Sequence, residues 1–173
     1  QLRCEVGMKI NNLGKNFYIN LSLVILIFLI DRISKIYVIN LDKQFLGSEI
    51  FSSKFLNIIL VWNEGIAFGL FSFDENYLYN ILTVIILLII IIIFFMIRGN
   101  KGIKKYSLLM ILGGALGNFY DRIFYRAVPD FIDFHISNFH WFIFNFADIF
   151  ITIGVIFMII FEYIGINNEE IKT

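Results

Sequence analysis

Two short polar clusters interrupt oily stretches of the C-terminal half, and both set aspartate beside asparagine. The first is GGALGNFYDR (Gly113–Arg122), closely followed by VPDFIDF (Val128–Phe134); the second is FNFAD (Phe144–Asp148). An ionised carboxylate in an apolar segment is costly, so its presence there points to function. Two carboxylates at close range do not both ionise comfortably, and one proton is then shared between them. Such a pair activates water. The ionised member takes a proton from it while the protonated member donates to a peptide carbonyl.

Spacing groups the side chains further. Asn118, Asp121 and Arg122 stand at i, i+3 and i+4, on one helix face. Gly113 and Gly117 form a GxxxG spacing that admits a second helix backbone at close range. Packing plus an Asp121–Arg122 pair accounts for the glycines but not for the amide on the same face. Asn145 and Asp148 also share a face, with Asp148 expected roughly 10 Å into the last helix at 1.5 Å per residue. The structural explanation for Asp148 is a charge partner such as Arg122. Asp130 and Asp133 both follow the third helix, on the side where Asp148 lies, and spacing does not decide which of them approaches it. Asp31 and Lys35, four apart in the first apolar run, read as a structural ion pair facing protein. His135 and His140 are weak metal-ligand candidates, because neither a zinc-type cysteine set nor an HExxH pattern accompanies them. No metal or cofactor is expected. Ser34, Ser107 and Ser137 lack a GxSxG context.

The elements that must position these groups are apolar helices. Of 173 residues, 59% are hydrophobic, and mean hydropathy is +0.81; soluble domains are about 45–50% apolar. A membrane-crossing helix needs about 20 apolar residues. The runs 17–39, 77–97 and 141–164 satisfy this, and 106–124 reads as a fourth helix with a polar outer end. The first run is too long for a signal peptide, carries Asp31 and Lys35, and lacks a small-residue cleavage site.

Arg98, Lys101, Lys104 and Lys105 lie between the second and third helices, and Lys9 and Lys15 precede the first. This charge pattern places both segments on the cytoplasmic side, so both termini are inside. The stretch 41–73 then falls outside. Asn57, Asn63, Glu64, Gly65 and Gly69 break its apolar run, and its Ile, Val, Phe and Trp content suits β-like structure ending in a turn at Asn63–Gly65. Residues 1–7 are expected to be an upstream extension of a single domain, 8–173, that opens at Met8. The lone Cys4 excludes an internal disulfide, and with only QLR before it Cys4 is not expected to be a lipid-attachment site. A net charge of +0 gives no reason to expect nucleic acid.

Five blocks in order, DRISK (Asp31–Lys35), WNEGIAFG (Trp62–Gly69), GGALGNFYDR, VPDFIDF and FNFAD, resemble the motifs of the bacterial lipoprotein signal peptidases, or signal peptidase II. The resemblance spans Phe17–Ile164. It implies a mainly α membrane protein with four transmembrane helices and a small periplasmic β-cradle between helices 1 and 2. It implies an inner-membrane aspartic endopeptidase that cleaves the signal peptide of a diacylglyceryl-modified prolipoprotein just before the lipidated cysteine, at the periplasmic face. The substrate would enter from the membrane lipid, and a monomer is expected. By motif, the catalytic pair falls on Asp130 and Asp148. Asn63, Asn118, Arg122 and Asn145 match residues that line the site and hold substrate or the catalytic groups. Asp31, Lys35 and Asp121 match structural support. Two positions depart from the family: Arg32 stands where Gln is usual, and Pro129 where a β-branched residue is common. The competing reading is a four-helix transporter or proton channel with Asp31, Asp121 and Asp148 as a relay, which needs ionisable groups spread through the membrane.

Overall fold

The computed structural model describes residues 2–65, 76–137 and 139–170. The chain runs α1 (Leu2–Phe45), β1 (Phe51–Ser52), β2 (Leu56–Asn63), α2 (Asn76–Gly99), α3 (Gly102–Phe124), β3 (Val128–Ile136), β4 (Phe139–Phe144) and α4 (Phe146–Glu170). The architecture is mainly helical with one small antiparallel sheet.

Helix α3 touches each of the other three helices. Its core face carries Leu108, Leu109 and Leu112, which pack with Val24 of α1 and Ile90 and Ile93 of α2. Two glycines set how closely its neighbours approach. A methyl on Gly114 would stand 2.5 Å from the Ala147 carbonyl of α4, and one on Gly117 would overlap the Asp31 carboxylate of α1. The close approach anticipated from the GxxxG spacing is therefore made by α1, at Ile27 against Gly113 and at Asp31 against Gly117.

Helix α1 is built inside out. Asp31 and Lys35 are fully buried, while Ile33 and Ile36 are 66% and 50% exposed. An apolar exterior around a charged interior suits a hydrocarbon solvent, not water. Helices α2 and α4 contain segments long and apolar enough to cross a membrane, Tyr79–Gly99 and Phe146–Ile164. At one end of the bundle Lys104 of α3 pairs with Glu162 of α4 at 2.5 Å. Asn118 lies 14 positions further along α3, roughly 20 Å away at 1.5 Å per residue.

The sheet occupies that far end. Its order is β1-β2-β3-β4, all antiparallel. Val61 of β2 faces Asp130 of β3, and Asn57 faces Asp133. The register slips between Ile58 and Val61 of β2, and again between the Asp133 and His135 pairs of β3 with β4.

Three sequence expectations need correction. The sheet is not confined to the connection between the first two helices, because β3 and β4 supply half of it. The last helix begins at Phe146 and not at Trp141: the aromatic run Phe139–Phe144 pairs with β3 as a strand. Residues 41–45 of the supposed β-like segment are the last turn of α1. That helix ends when Leu46 turns left-handed (φ 54) and the Gly47 N–H reaches back to the Asp42 carbonyl at 3.2 Å, closing it as a Schellman turn. The turn at Asn63–Gly65 is present, with the Gly65 N–H donating to Asn63 Oδ1 at 2.9 Å. The remainder of that segment, 66–73, lies outside the described residues, as does Gly69.

Candidate active site

The far end of the bundle places carboxylates on asparagine supports. Asp148 lies in the first turn of α4, not two turns in as expected. Asn145 Oδ1 accepts the Asp148 N–H at 3.1 Å, and Asp148 Oδ2 accepts the Asn145 N–H at 3.2 Å. This reciprocal pair is a capping box in Asn and Asp. It explains both residues at i, i+3 locally, and the helix dipole favours a negative charge at this end.

The same Asn145 ties in the strand. Its Nδ2 donates to Asp130 Oδ1 at 2.6 Å and to Asn118 Oδ1 at 3.2 Å. Asn63, diagonal to Asp130 across the β2–β3 ladder, donates to Asp130 Oδ2 at 2.9 Å. Asn118 donates to Asp148 Oδ1 at 2.8 Å. Its orientation follows from Lys35, whose ammonium has only donors to offer and occupies Asn118 Oδ1 at 2.8 Å. The amide nitrogen must then point at Asp148.

Asp130 is 3% exposed. Burial, and then the charge of Asp148, push its carboxyl up to about 7, against the opposing donors of Asn63 and Asn145. Asp130 therefore keeps its proton closer to neutral pH than an exposed aspartate does. The two groups differ in accessibility as well, Asp148 being only half-buried.

Asp130 and Asp133 have different surroundings in the structure. The two are three apart on one strand, so the pleat sends them to opposite faces. Asp130 faces Asn63 and Asn145, whereas Asp133 pairs with His140 at 2.8 Å.

Beneath the site lies a buried cluster of balanced charge. Lys35 meets Asp31 at 2.8 Å and Asp121 at 2.7 Å, and Arg32 meets Asp121 at 2.6 Å and Asp31 at 3.2 Å. Asp31 Oδ1 also accepts the Ala147 N–H at 3.1 Å, linking α1 to the first turn of α4 through the space that Gly117 leaves open. Arg32 was missed as a member. Its signal was a second cation beside Asp31 facing a second acid, Asp121, and its guanidinium also lies 4.8 Å from the Tyr120 ring. Arg122 makes no ion pair with Asp148 among the described residues. It donates instead to the carbonyls of Asn118 and Gly65, both at 3.1 Å, fastening the turn after β2 to α3.

The chain matches the family model described as Signal peptidase (SPase) II over residues 23–164. The chain belongs to the signal peptidase II family. A lipoprotein signal peptidase of Pelagibacter ubique (strain HTCC1062) is 52% identical over 156 residues, covering 90% of this chain and 93% of the relative. One from Anaplasma marginale (strain Florida) is 37% identical over 150 residues, 86% of each. Among solved structures, a bacterial membrane enzyme determined by the in meso method at 2.3 Å resolution superposes with TM-score 0.68 at 30% identity, covering 86% of this chain and 90% of that one. A second, at 1.9 Å, gives 0.62 at 32% identity, covering 82% and 90%. The resemblance drawn from the five motifs is thus borne out.

Signal peptidase II membership makes this chain a peptidase, and its neighbours make it a membrane protein. Within that frame, the asparagine-braced carboxylates are the candidate active site of this chain.

Proposed function

We propose that this chain is an inner-membrane aspartic endopeptidase. It removes the signal peptide from diacylglyceryl-modified prolipoproteins, cutting just before the lipidated cysteine. The observation that carries this reading is the shared support of Asp130 and Asp148 on Asn145 in a signal peptidase II chain.

Asp148, at a helix N-terminus, is the ionised member and takes the proton from the attacking water. Asp130 carries the dyad's proton and donates it to the scissile carbonyl as the tetrahedral intermediate forms. Asn63, Asn118 and Asn145 hold both carboxyls in place by hydrogen bonds, so little reorganisation accompanies the reaction. Arg122 keeps the turn at Gly65 against the site, and the Asp31–Arg32–Lys35–Asp121 cluster fixes α1, α3 and α4 relative to one another.

All four helices cross the membrane in this reading. The basic segment 98–105 lies at the cytoplasmic end, so the sheet and the aspartates lie at the periplasmic face. Substrate acyl chains remain in the bilayer and bring the scissile bond to the sheet. The enzyme works as a monomer. Among the described residues the buried ionisable groups gather at one end, which speaks against a proton relay through the membrane.

The test is incubation of purified protein with a precursor in lipidated and unlipidated forms. Cleavage of the lipidated form, and little or none of the other, is expected. Equal cleavage of both would point to a general signal peptidase.

A further inference from the structure

On the face of β3 opposite Asp130 lies a second cluster with its own chemistry. Asp133 and His135 are two apart and share that face, and His140 of β4 stands directly across from His135. One potential ligand atom from each of the three lies within 4.8 Å of the others. Directly opposed residues of an antiparallel pair have Cβ atoms about 4.5–5.5 Å apart, which brings two imidazoles to one small ion. The two rings stack with centroids 5.0 Å apart.

Hydrogen bonding does not fully account for the cluster. Asp133 Oδ2 and Oδ1 lie 2.8 and 3.1 Å from His140 Nδ1, which satisfies that pair. His135, only 8% exposed, buries its Nδ1 with no hydrogen-bond partner. His135 thus brings a buried ring with an unpartnered nitrogen into a group that already holds a carboxylate and a second imidazole. His140 opens the cluster to solvent, its side chain being 55% exposed while that of Asp133 is 6%.

We propose that Asp133, His135 and His140 form a divalent transition-metal site of zinc type, separate from the peptidase centre. Two imidazoles and one carboxylate suit zinc, and a water would complete a tetrahedron. At bonds of about 2.0–2.2 Å the ligand atoms must close to roughly 3.3 Å from one another. Small rotations of the two rings and displacement of the Asp133–His140 hydrogen bond achieve this. The ion would pin β4 to β3 where their register slips, stiffening the strand that holds Asp130 without touching the reacting atoms.

The test uses the full chain in detergent, freed of any affinity tag and stripped with chelator. Cobalt(II) is titrated while visible absorption is followed, and zinc is then added to displace it. The parent should take up one cobalt per chain with a tetrahedral spectrum, release it to zinc, and melt at a higher temperature with zinc than without. His140→Gln and Asp133→Asn should each weaken uptake by more than the roughly 10- to 100-fold typical of losing an outer partner of a ligand, and neither should melt higher with zinc. Failure of the folded parent to take up stoichiometric cobalt or zinc would overturn the proposal. So would uptake by both variants equal to that of the parent.

Discussion

Asn145 donates from its side-chain amide nitrogen to Asp130 Oδ1 at 2.6 Å while its side-chain oxygen Oδ1 caps the helix that carries Asp148. One residue thus ends a strand-to-helix junction and sets the relative positions of two carboxylates. Local folding and site geometry are the same event here, so changes at the site carry structural consequences and the reverse.

The support for Asp148 is directly testable at Asn118. Replacing Asn118 by Ala removes the donor to Asp148 and leaves Lys35 held by Asp31 and Asp121. The protein should fold, and kcat should fall by about 100-fold, as for loss of one preorganised donor. KM for lipidated precursor should change little. A rise in KM with kcat unchanged would assign Asn118 to substrate contact instead.

Gly117→Ala should destabilise the protein although alanine ordinarily favours a helix by about 1 kcal/mol. The added methyl overlaps the Asp31 carboxylate, which then releases either Lys35 or the Ala147 N–H. A loss of about 1–3 kcal/mol is expected for such overpacking. Gly99→Ala, where nothing lies within 4 Å, serves as the comparison and should be neutral or stabilising. Thermal unfolding in detergent distinguishes them, and equal behaviour of the two would refute the close-packing account.

The pH profile follows from Asp130. In the proposed mechanism its carboxyl, raised to about 7, holds the dyad's proton below that pH and loses it above. The rate kcat/KM should therefore fall on the alkaline side of about 7, by about tenfold per pH unit at the limit. Stability moves with the same sign. The unfolded carboxyl titrates near 3.9, so the native state binds the extra proton between these values. The contribution is fully present below the lower value and is lost as pH rises through about 7. A rate that keeps rising through pH 9 would contradict the assignment of the proton to Asp130.

Topology gives an independent check. Reporter fusions at residue 101 and at the C-terminus should read as cytoplasmic, and a fusion at residue 48 as external. A cytoplasmic signal at residue 48 would sink the four-helix arrangement and the periplasmic placement of the site.

Much of this was legible in the sequence, for identifiable reasons. Helix α2 announces itself by an uncharged run, and the polar faces of α1 and α3 by i, i+3 and i+4 spacing. The strands were harder. Phe139–Phe144 is aromatic and apolar, so beside a true membrane helix it reads as that helix's first turns; only Asn145, as a cap, marks the boundary. The choice between Asp130 and Asp133 was closed to spacing because it depends on pleat parity, which appears only once Val128–Ile136 is known to be a strand. The convergence of His135, His140 and Asp133 is invisible for the same reason, since cross-strand register creates it. Arg32 was undervalued because its partner, Asp121, lies on another helix.

The most direct test of the central claim compares Asp130→Asn, Asp148→Asn, the double variant and Asp133→Asn in cleavage of one lipidated precursor. Asparagine keeps size and much of the hydrogen bonding but can neither accept the water's proton nor share one. Each single change at Asp130 or Asp148 should abolish cleavage while the folded protein still binds precursor, and the double variant should be little worse than either, because the pair acts as a unit. Asp133→Asn should retain substantial activity. Continued cleavage by both Asp130→Asn and Asp148→Asn would contradict the aspartyl mechanism, and a dead Asp133→Asn beside an active Asp130→Asn would place the catalytic carboxylate on the other face of β3.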